Sequence, residues 1–325
     1  MTSESDPRVA SPRARPRVLP SLPTGIGLVA LYAAMVVTLS IASPYFLSVN
    51  NLLNILLAVA VIGVISVGMT MVIISGGLDL SVGAVVALVG VAIALSHPVI
   101  GIGPAVILGL LVGVAVGLIN GLAVTSIGIN PLIATLGTLS LARGLAFVFS
   151  GGLTQPVLDR GFGFWGRGFV LGIPVPVIVF AIVWALGYIV LRHTTLGRAI
   201  YASGGNPQAS WLAGIRVGYV RRLVYLICSA GAAIGGTLLT SQLAAGAPQA
   251  ATGMELSVIA AVILGGASLS GGEGTLVGTL LGVLIMGTLN NGLVLLNVNP
   301  YYQEVARGVV LLLAVGLDQL RLQGR

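Results

Sequence analysis

The chain has 325 residues, 57% of them hydrophobic and only 7% charged, with a formal net charge of +7. Soluble domains carry about a quarter charged residues, so this composition excludes a water-soluble protein and points to an integral membrane protein. The positive charge comes from 15 arginines and no lysine. They lie between apolar runs, as membrane topology places them, and no nucleic-acid partner is expected.

Residues 1–23 are polar, Pro-rich and basic, with Arg8, Arg13, Arg15 and Arg17, and read as a disordered cytoplasmic tail. The membrane region then fills 24–325. Its first run, Thr24–Ser43, is longer than the core of a signal peptide, which holds about 7–15 residues, and reads as a retained first helix. Leu52–Ser75, Val82–Leu95, Pro104–Thr125, Pro131–Phe149 and Pro174–Leu191 follow. After a polar loop, 192–222, come Leu223–Gln242, Leu256–Leu269, Thr275–Leu296 and Tyr301–Leu320. The expected fold class is therefore all-α and polytopic, with about ten hydrophobic segments and 8–10 true spans. Continuous apolar runs exclude the alternating pattern of a β-barrel. Val82–Leu95 and Leu256–Leu269 are short for a span and read as half-helices or re-entrant segments.

The arginines set an orientation. With the N-terminus inside and a crossing at each run, loop 192–222 and the C-terminus are cytoplasmic, which puts eleven arginines inside. Loop 150–173, carrying Phe162, Phe164, Trp165 and Phe169, falls outside, with aromatics suited to the membrane interface.

Two glycine-serine breaks interrupt the apolar pattern. The first, Ser75–Gly83, holds Gly76, Gly77 and Ser81, and also Asp79, the one charged residue between Arg17 and Arg143. The second, Leu264–Gly274, holds Gly265, Gly266 and Ser268. Each is followed by a glycine series with a four-residue period and an Asn-Gly-Leu triplet, at Asn120 and at Asn291, a pattern compatible with two related halves. Backbone irregularity at membrane depth is tolerated where it is buried in protein or lines a cavity. Gly76, Gly77, Asp79, Ser81, Asn120, Glu255, Gly265, Gly266, Ser268 and Asn291 are accordingly the candidate translocation path. Two readings of Asp79 stay open: a functional intramembrane carboxylate, and a cap for the helix that starts at Val82.

Catalytic chemistry is not expected. His97 and His193 lie at segment ends without neighbouring cysteine or carboxylate, and Cys228 stands alone in an apolar run. No metal site or cofactor is indicated. Leu269-Ser270-Gly271-Gly272-Glu273 is close to the signature string of ABC ATPases. A nucleotide site also needs a P-loop lysine, so the string is no nucleotide site in a chain without lysine.

Loop 192–222 is the most distinctive polar stretch. Gly204-Gly205 is expected to turn the chain, Asn206 to cap a short helix with Pro207 at its first position, and Gly214 to end it. Such a helix presents Ala209, Trp211, Leu212 and Ala213 as a docking element, or lays them on lipid headgroups. Thr194, Leu196-Gly197-Arg198-Ala199, Ala202, Gly204-Gly205-Asn206, Ala209 and Gly214-Ile215 together resemble the signature of the ribose-type monosaccharide ABC transporter permeases. These belong to the wider family of binding-protein-dependent inner-membrane components. Asn50-Asn51-Leu52, Ser75–Gly83, Asn130–Thr138, Gly253–Val262, Asn290–Leu293 and Tyr301-Tyr302-Gln303 extend the resemblance over most of the chain.

The resemblance implies a multi-pass subunit of the bacterial inner membrane that imports a monosaccharide by alternating access and hydrolyses nothing itself. It implies cytoplasmic ABC ATPase subunits, a periplasmic or lipid-anchored sugar-binding protein, and a second permease copy or paralogue, all assembled in the lipid bilayer. Gly204, Gly205, Asn206, Ala209, Leu212, Gly214 and Ile215 would couple to the ATPase. Permeases for an autoinducer, a nucleoside or a branched-chain amino acid are the alternatives, with a stand-alone secondary transporter behind them.

Overall fold

A computed structural model describes residues 24–323; the expected disordered tail over 1–23 lies outside the described residues. The helices are α1 (Thr24–Ala42), α2 (Val49–Ile74), α3 (Val82–Ile100), α4 (Ile102–Leu122), α5 (Pro131–Ser150) and α6 (Gly163–Arg167). They continue with α7 (Val175–His193), α8 (Thr195–Gly205), α9 (Pro207–Leu212), α10 (Val217–Leu243), α11 (Met254–Leu264), α12 (Leu276–Leu295) and α13 (Pro300–Gln323). A π-helical turn, Ala123–Ile127, extends α4. Extended structure among the described residues amounts to two short pairings, 155–156 with 245–246 and 169–170 with 173–174. The chain is an all-α polytopic membrane protein. Among the described residues, seven helices, namely α2, α3, α4 with its π turn, α5, α7, α10 and α12, are long and apolar enough to cross a bilayer.

The two short segments part company in the structure. With 11 residues, α11 is a true half-length helix, rising about 16 Å against a hydrocarbon core of about 30 Å. By contrast, α3 runs 19 residues, five beyond the expected end at Leu95, through Ser96, His97 and Pro98. A proline inside a helix leaves the carbonyl four residues back without its donor. Here that carbonyl belongs to Ala94, and His97 Nδ1 lies 2.7 Å from it. The other ring nitrogen, Nε2, accepts from the Leu158 N–H at 3.3 Å, so the two bonds together place the proton on Nδ1. His97 thus repairs α3 and pins the loop after α5.

Helix α2 forms the centre: from Val59 to Ile74 every residue is buried. Small residues let its neighbours approach, as lipid-embedded packing requires. Gly68 faces the backbone of Cys228 on α10, and Gly231 of α10 faces Val64. These pairs make α2 and α10 antiparallel. Thr70 bonds Thr279 at 2.8 Å and Asn291 Nδ2 donates to Asn51 Oδ1 at 2.9 Å, so α12 is antiparallel to α2 as well. Gly121 of α4 packs on Arg222, and Gly113 on Ala233. Thus α2, α4 and α11 descend toward one end of the bundle, which carries Arg192, Arg198, Arg216, Arg221 and Arg222, while α3, α10 and α12 ascend from it.

This arrangement bears on the paired motifs. Both breaks follow a descending helix and precede an ascending one. The two Asn-Gly-Leu triplets do not correspond in place. Asn120 sits low on a descending helix and Asn291 high on an ascending one, with all of α3 and most of α4 interposed in the first case.

Candidate functional site

The two breaks meet at the arginine-rich end, and α8 joins them. After α2, Gly76 adopts a left-handed φ of +78° and turns the chain back into the bundle. In the second break Gly271 and Gly272 have φ of +83° and +78°. The Gly272 N–H donates to the Ile74 carbonyl at 2.8 Å, bonding the second break to the end of α2. Gly204, near the end of α8, lies against both: a Cβ there would run into the Ile74 carbonyl oxygen and the Gly272 nitrogen. Gly271 in turn approaches the Gly204 carbonyl oxygen and Gly76 Cα. Backbone touches backbone at each of these contacts.

Side chains tie the same joint. Arg221 Nε on α10 donates to the Ser75 carbonyl at 3.2 Å, and Tyr201 on α8 donates its hydroxyl to Gly274 O at 2.8 Å. Burial pushes the Tyr201 phenol above its ordinary range, with Arg192 opposing the shift, which keeps the hydroxyl a donor at neutral pH. Tyr225 on α10 reaches the Leu78 carbonyl at 3.2 Å. Asp318 on α13 accepts from Ser268 Oγ at 3.3 Å and from the Leu269 N–H at 3.2 Å. The ATPase-like string at Leu269–Glu273 is therefore a packing turn.

Gly204 and Gly205 were expected to turn the chain; instead they end α8, an 11-residue helix, and the turn falls at Asn206. The short helix that follows matches expectation. Asn206 Oδ1 accepts the Ala209 N–H at 2.9 Å, Pro207 opens α9, and Gly214 closes it with φ +85°. The Ile215 N–H bonds back to the Ser210 carbonyl. Trp211 and Leu212 stand 70% and 79% exposed at its end. A rigid capped helix with two bare apolar side chains is suited to enter a cleft in another protein.

Asp79 is wholly buried and turned inward. Its Oδ1 accepts the Ser81 N–H at 2.9 Å, the Ser81 hydroxyl at 2.6 Å and Asn120 Nδ2 at 3.4 Å. Asn120 also donates to Ser81 Oγ at 2.9 Å and accepts the Thr138 hydroxyl at 2.6 Å. The carboxylate thus closes an Asx-type turn one step ahead of α3 and links α3, α4 and α5; the residue flanking α3, Ser81, makes no side-chain cap of its own. Oδ2 has no partner among the described residues. We therefore expect Asp79→Asn, which keeps the acceptor Oδ1, to melt near the parent. Asp79→Ala strands two to three buried donors at about 1–3 kcal/mol each and should lose at least about 2 kcal/mol of stability. Paired thermal melts in one detergent check this; equal losses would remove the acceptor role.

The other candidate path residues lie apart. Gly265 packs on Gly278 of α12, and Gly266 turns the second break with φ +92°. Glu255 opens α11 beside Gly83, whose absent Cβ leaves room for the carboxylate. Arg143 on α5 reaches the same region and donates to the Pro248 and Ala250 carbonyls, both at 2.7 Å. Asn291 binds Asn51 at the opposite end of the bundle from the breaks. Gly76, Gly77, Gly265, Gly266 and Ser268 therefore belong to the joint, Asp79, Ser81 and Asn120 to the buried network, and Glu255 and Asn291 to neither. Tyr201, Arg221 and Asp318 are the joint residues that pattern reading missed. Their signal was faint: isolated polar groups in or beside apolar runs.

A profile described as branched-chain amino acid transport system / permease component matches residues 51–315. The ribose import permease protein RbsC of Bacillus subtilis is 45% identical over 289 residues, covering 88% of this chain and 89% of its own. The L-arabinose ABC transporter permease protein AraH of Azospirillum brasilense is 39% identical over 321 residues, covering 97% of this chain and 93% of its own. The D-allose transport system permease protein AlsC of Escherichia coli is 39% identical over 284 residues, covering 86% of this chain and 87% of its own. No solved structure gives a significant match.

Proposed function

The chain belongs to the family described as branched-chain amino acid transport system / permease component, and on that premise we propose that it is the membrane-spanning subunit of an ATP-binding cassette importer for a monosaccharide. The sugar reading rests on relatives named for ribose, L-arabinose and D-allose, at 39–45% identity over nearly full length. The observation that carries the mechanism is the backbone contact of Gly204 with Ile74 and Gly272. It makes α8 and both breaks one mechanical unit.

In this reading the arginine-rich end faces the cytoplasm, in keeping with the positive-inside bias, together with both termini. Cytoplasmic ATPase subunits receive α9 through Trp211 and Leu212. Their closure on ATP displaces α9, α8 transmits the displacement, and the breaks beneath α3 and α12 shift together. A second permease copy or paralogue forms the other wall of the path, and a periplasmic or lipid-anchored binding protein delivers the sugar at the opposite face. Asp79 holds α3, α4 and α5 in register during this motion. The capped helix α9 with its exposed Trp211 and Leu212 argues against a stand-alone transporter.

Reconstitution tests the reading. Proteoliposomes holding the permease, its ATPase and its binding protein are expected to accumulate labelled ribose, arabinose or allose only with ATP inside reach of the ATPase and with all three proteins present. Uptake by the permease alone, or none with any pentose or hexose, would sink it.

A further inference from the structure

The loop between α10 and α11 turns back into the bundle. Two of its residues are left-handed, Ala251 with φ +56° and Gly253 with φ +76°, and a left-handed alanine is the kind of backbone strain that gathers at functional sites. Arg143 of α5 holds the loop through the Pro248 and Ala250 carbonyls, both at 2.7 Å. Both bonds use Nη1, which leaves Nη2 without a partner among the described residues. Glu304 and Arg307 of α13, paired at 3.0 Å, lie over the end of the loop: a Cβ on Gly253 would meet Glu304 Oε2 at 3.5 Å and Arg307 Nη1 at 3.7 Å. Glu255 stands just beyond, in the first turn of α11. Three helices thus bring two carboxylates and two guanidiniums to one loop.

These charges lie deep. Arg143 is about 18 Å along α5 from its start at the arginine-rich end, and Glu255 about 14 Å above the end of α11, against a hydrocarbon core of about 30 Å. Ionised side chains at that depth face the protein interior or a water-filled path, and non-helical backbone obeys the same limit. The loop is not sealed in protein: Gln249 and Thr252 are exposed, and the Glu304 side chain is 57% exposed. Nor does the cluster satisfy itself. Glu255 Oε2 and Arg307 Nε are buried without a hydrogen-bond partner among the described residues, and no ion pair joins Arg143 to Glu255.

We propose that this cluster is where the path holds the monosaccharide, an assignment that rests on the sugar reading above. Two carboxylates against two guanidiniums leave no net charge to select a lone ion. A sugar hydroxyl both donates and accepts, so neighbouring hydroxyls can give to Glu255 and Glu304 and take from Arg143 and Arg307. Gln249 Nε2 donates to Thr154 Oγ1 at 3.4 Å in the loop after α5, which continues the polar lining toward the outer end of the bundle. A lipid chain would leave the four charges without hydrogen-bond partners. An apolar amino acid would need side-chain contacts that Arg143, Gln249, Thr252, Glu255, Glu304 and Arg307 do not offer.

The test is thiol labelling of Thr252→Cys in the full importer, held in nanodiscs that leave both faces open, with a charged reagent that does not enter lipid. Cys228, the native thiol, is buried, so the new thiol carries the signal. It should label, and ribose, arabinose or allose should slow the labelling severalfold while leucine does not. A hydrogen bond to a charged group is worth about tenfold in affinity, so Glu304→Gln and Glu255→Gln should each raise the sugar concentration for half-protection about tenfold. Their labelling rates without sugar should match that of Thr252→Cys alone, which separates a lost contact from a displaced loop. No labelling means that lipid or a second copy covers the loop, and overturns the proposal. Labelling that no sugar slows, from a preparation that still imports sugar in proteoliposomes, overturns the site and leaves the proposed function standing. Absence of both uptake and protection overturns both, and protection by leucine alone reassigns the site to an amino acid.

Discussion

Gly204→Ala is expected to cut ATP-driven uptake by about tenfold to a hundredfold while leaving membrane insertion intact. The added methyl would meet the Ile74 carbonyl oxygen and the Gly272 nitrogen. Both are backbone atoms, so no rotamer change makes room. Overpacking of this kind costs about 1–3 kcal/mol, and each ~1.4 kcal/mol is tenfold in a rate. The same insertion threatens the Gly272 N–H···O=C Ile74 bond of 2.8 Å. Its neighbour supplies the control, since a Cβ on Gly205 would meet only Gly272 Cα at 3.9 Å, an ordinary contact. Gly205→Ala should therefore transport like the parent. Alanine also favours helix over glycine by about 1 kcal/mol, so secondary structure in α8 gains in both variants and cannot explain a difference between them. Uptake and ATP hydrolysis measured side by side decide the matter: equal uptake by the two variants would mean that the close approach is incidental.

Trp211→Ala with Leu212→Ala should release the ATPase subunits. At 70% and 79% exposure these side chains contribute little to the fold. Apolar anchors that fill a partner's cleft cost about 2–4 kcal/mol when truncated, which is about 30-fold to 1000-fold in affinity. Asn206→Ala should act on the same surface less strongly, through loss of a cap worth about 1 kcal/mol. Co-purification with the ATPase reads the first effect. A double variant that still co-purifies and transports would assign α9 to the lipid surface.

What could be read in the sequence follows from what each feature depends on. The α9 cap was legible because Asn206, Pro207 and Gly214 are local signals that need no tertiary partner. The half-length α11 was legible too, since a run too short to span is a matter of counting. The length of α3 was not, because Pro98 argues for a helix end and the donor that compensates it, His97, has an adjacent position but a geometric role. The helix α8 was missed for a related reason. Two consecutive glycines carry a propensity penalty, and what overrides it is a contact with residues 74 and 272, far away in the chain. Asp79 was legible as a special residue but its direction was not: Asn120 and Thr138 become its neighbours only once α4 and α5 are packed. The two breaks were visible as a pair, and their meeting through α8 was not.

Hydrogen exchange across the joint tests the central claim most directly. In the assembled importer, amides in 70–80 and 268–275 should change exchange together when ATP binds, along with those of α9. In Gly204→Ala the α9 response should persist and both breaks should fall silent together. Breaks that still respond in that variant, or that respond independently of one another in the parent, would contradict the account of α8 as the element that moves them.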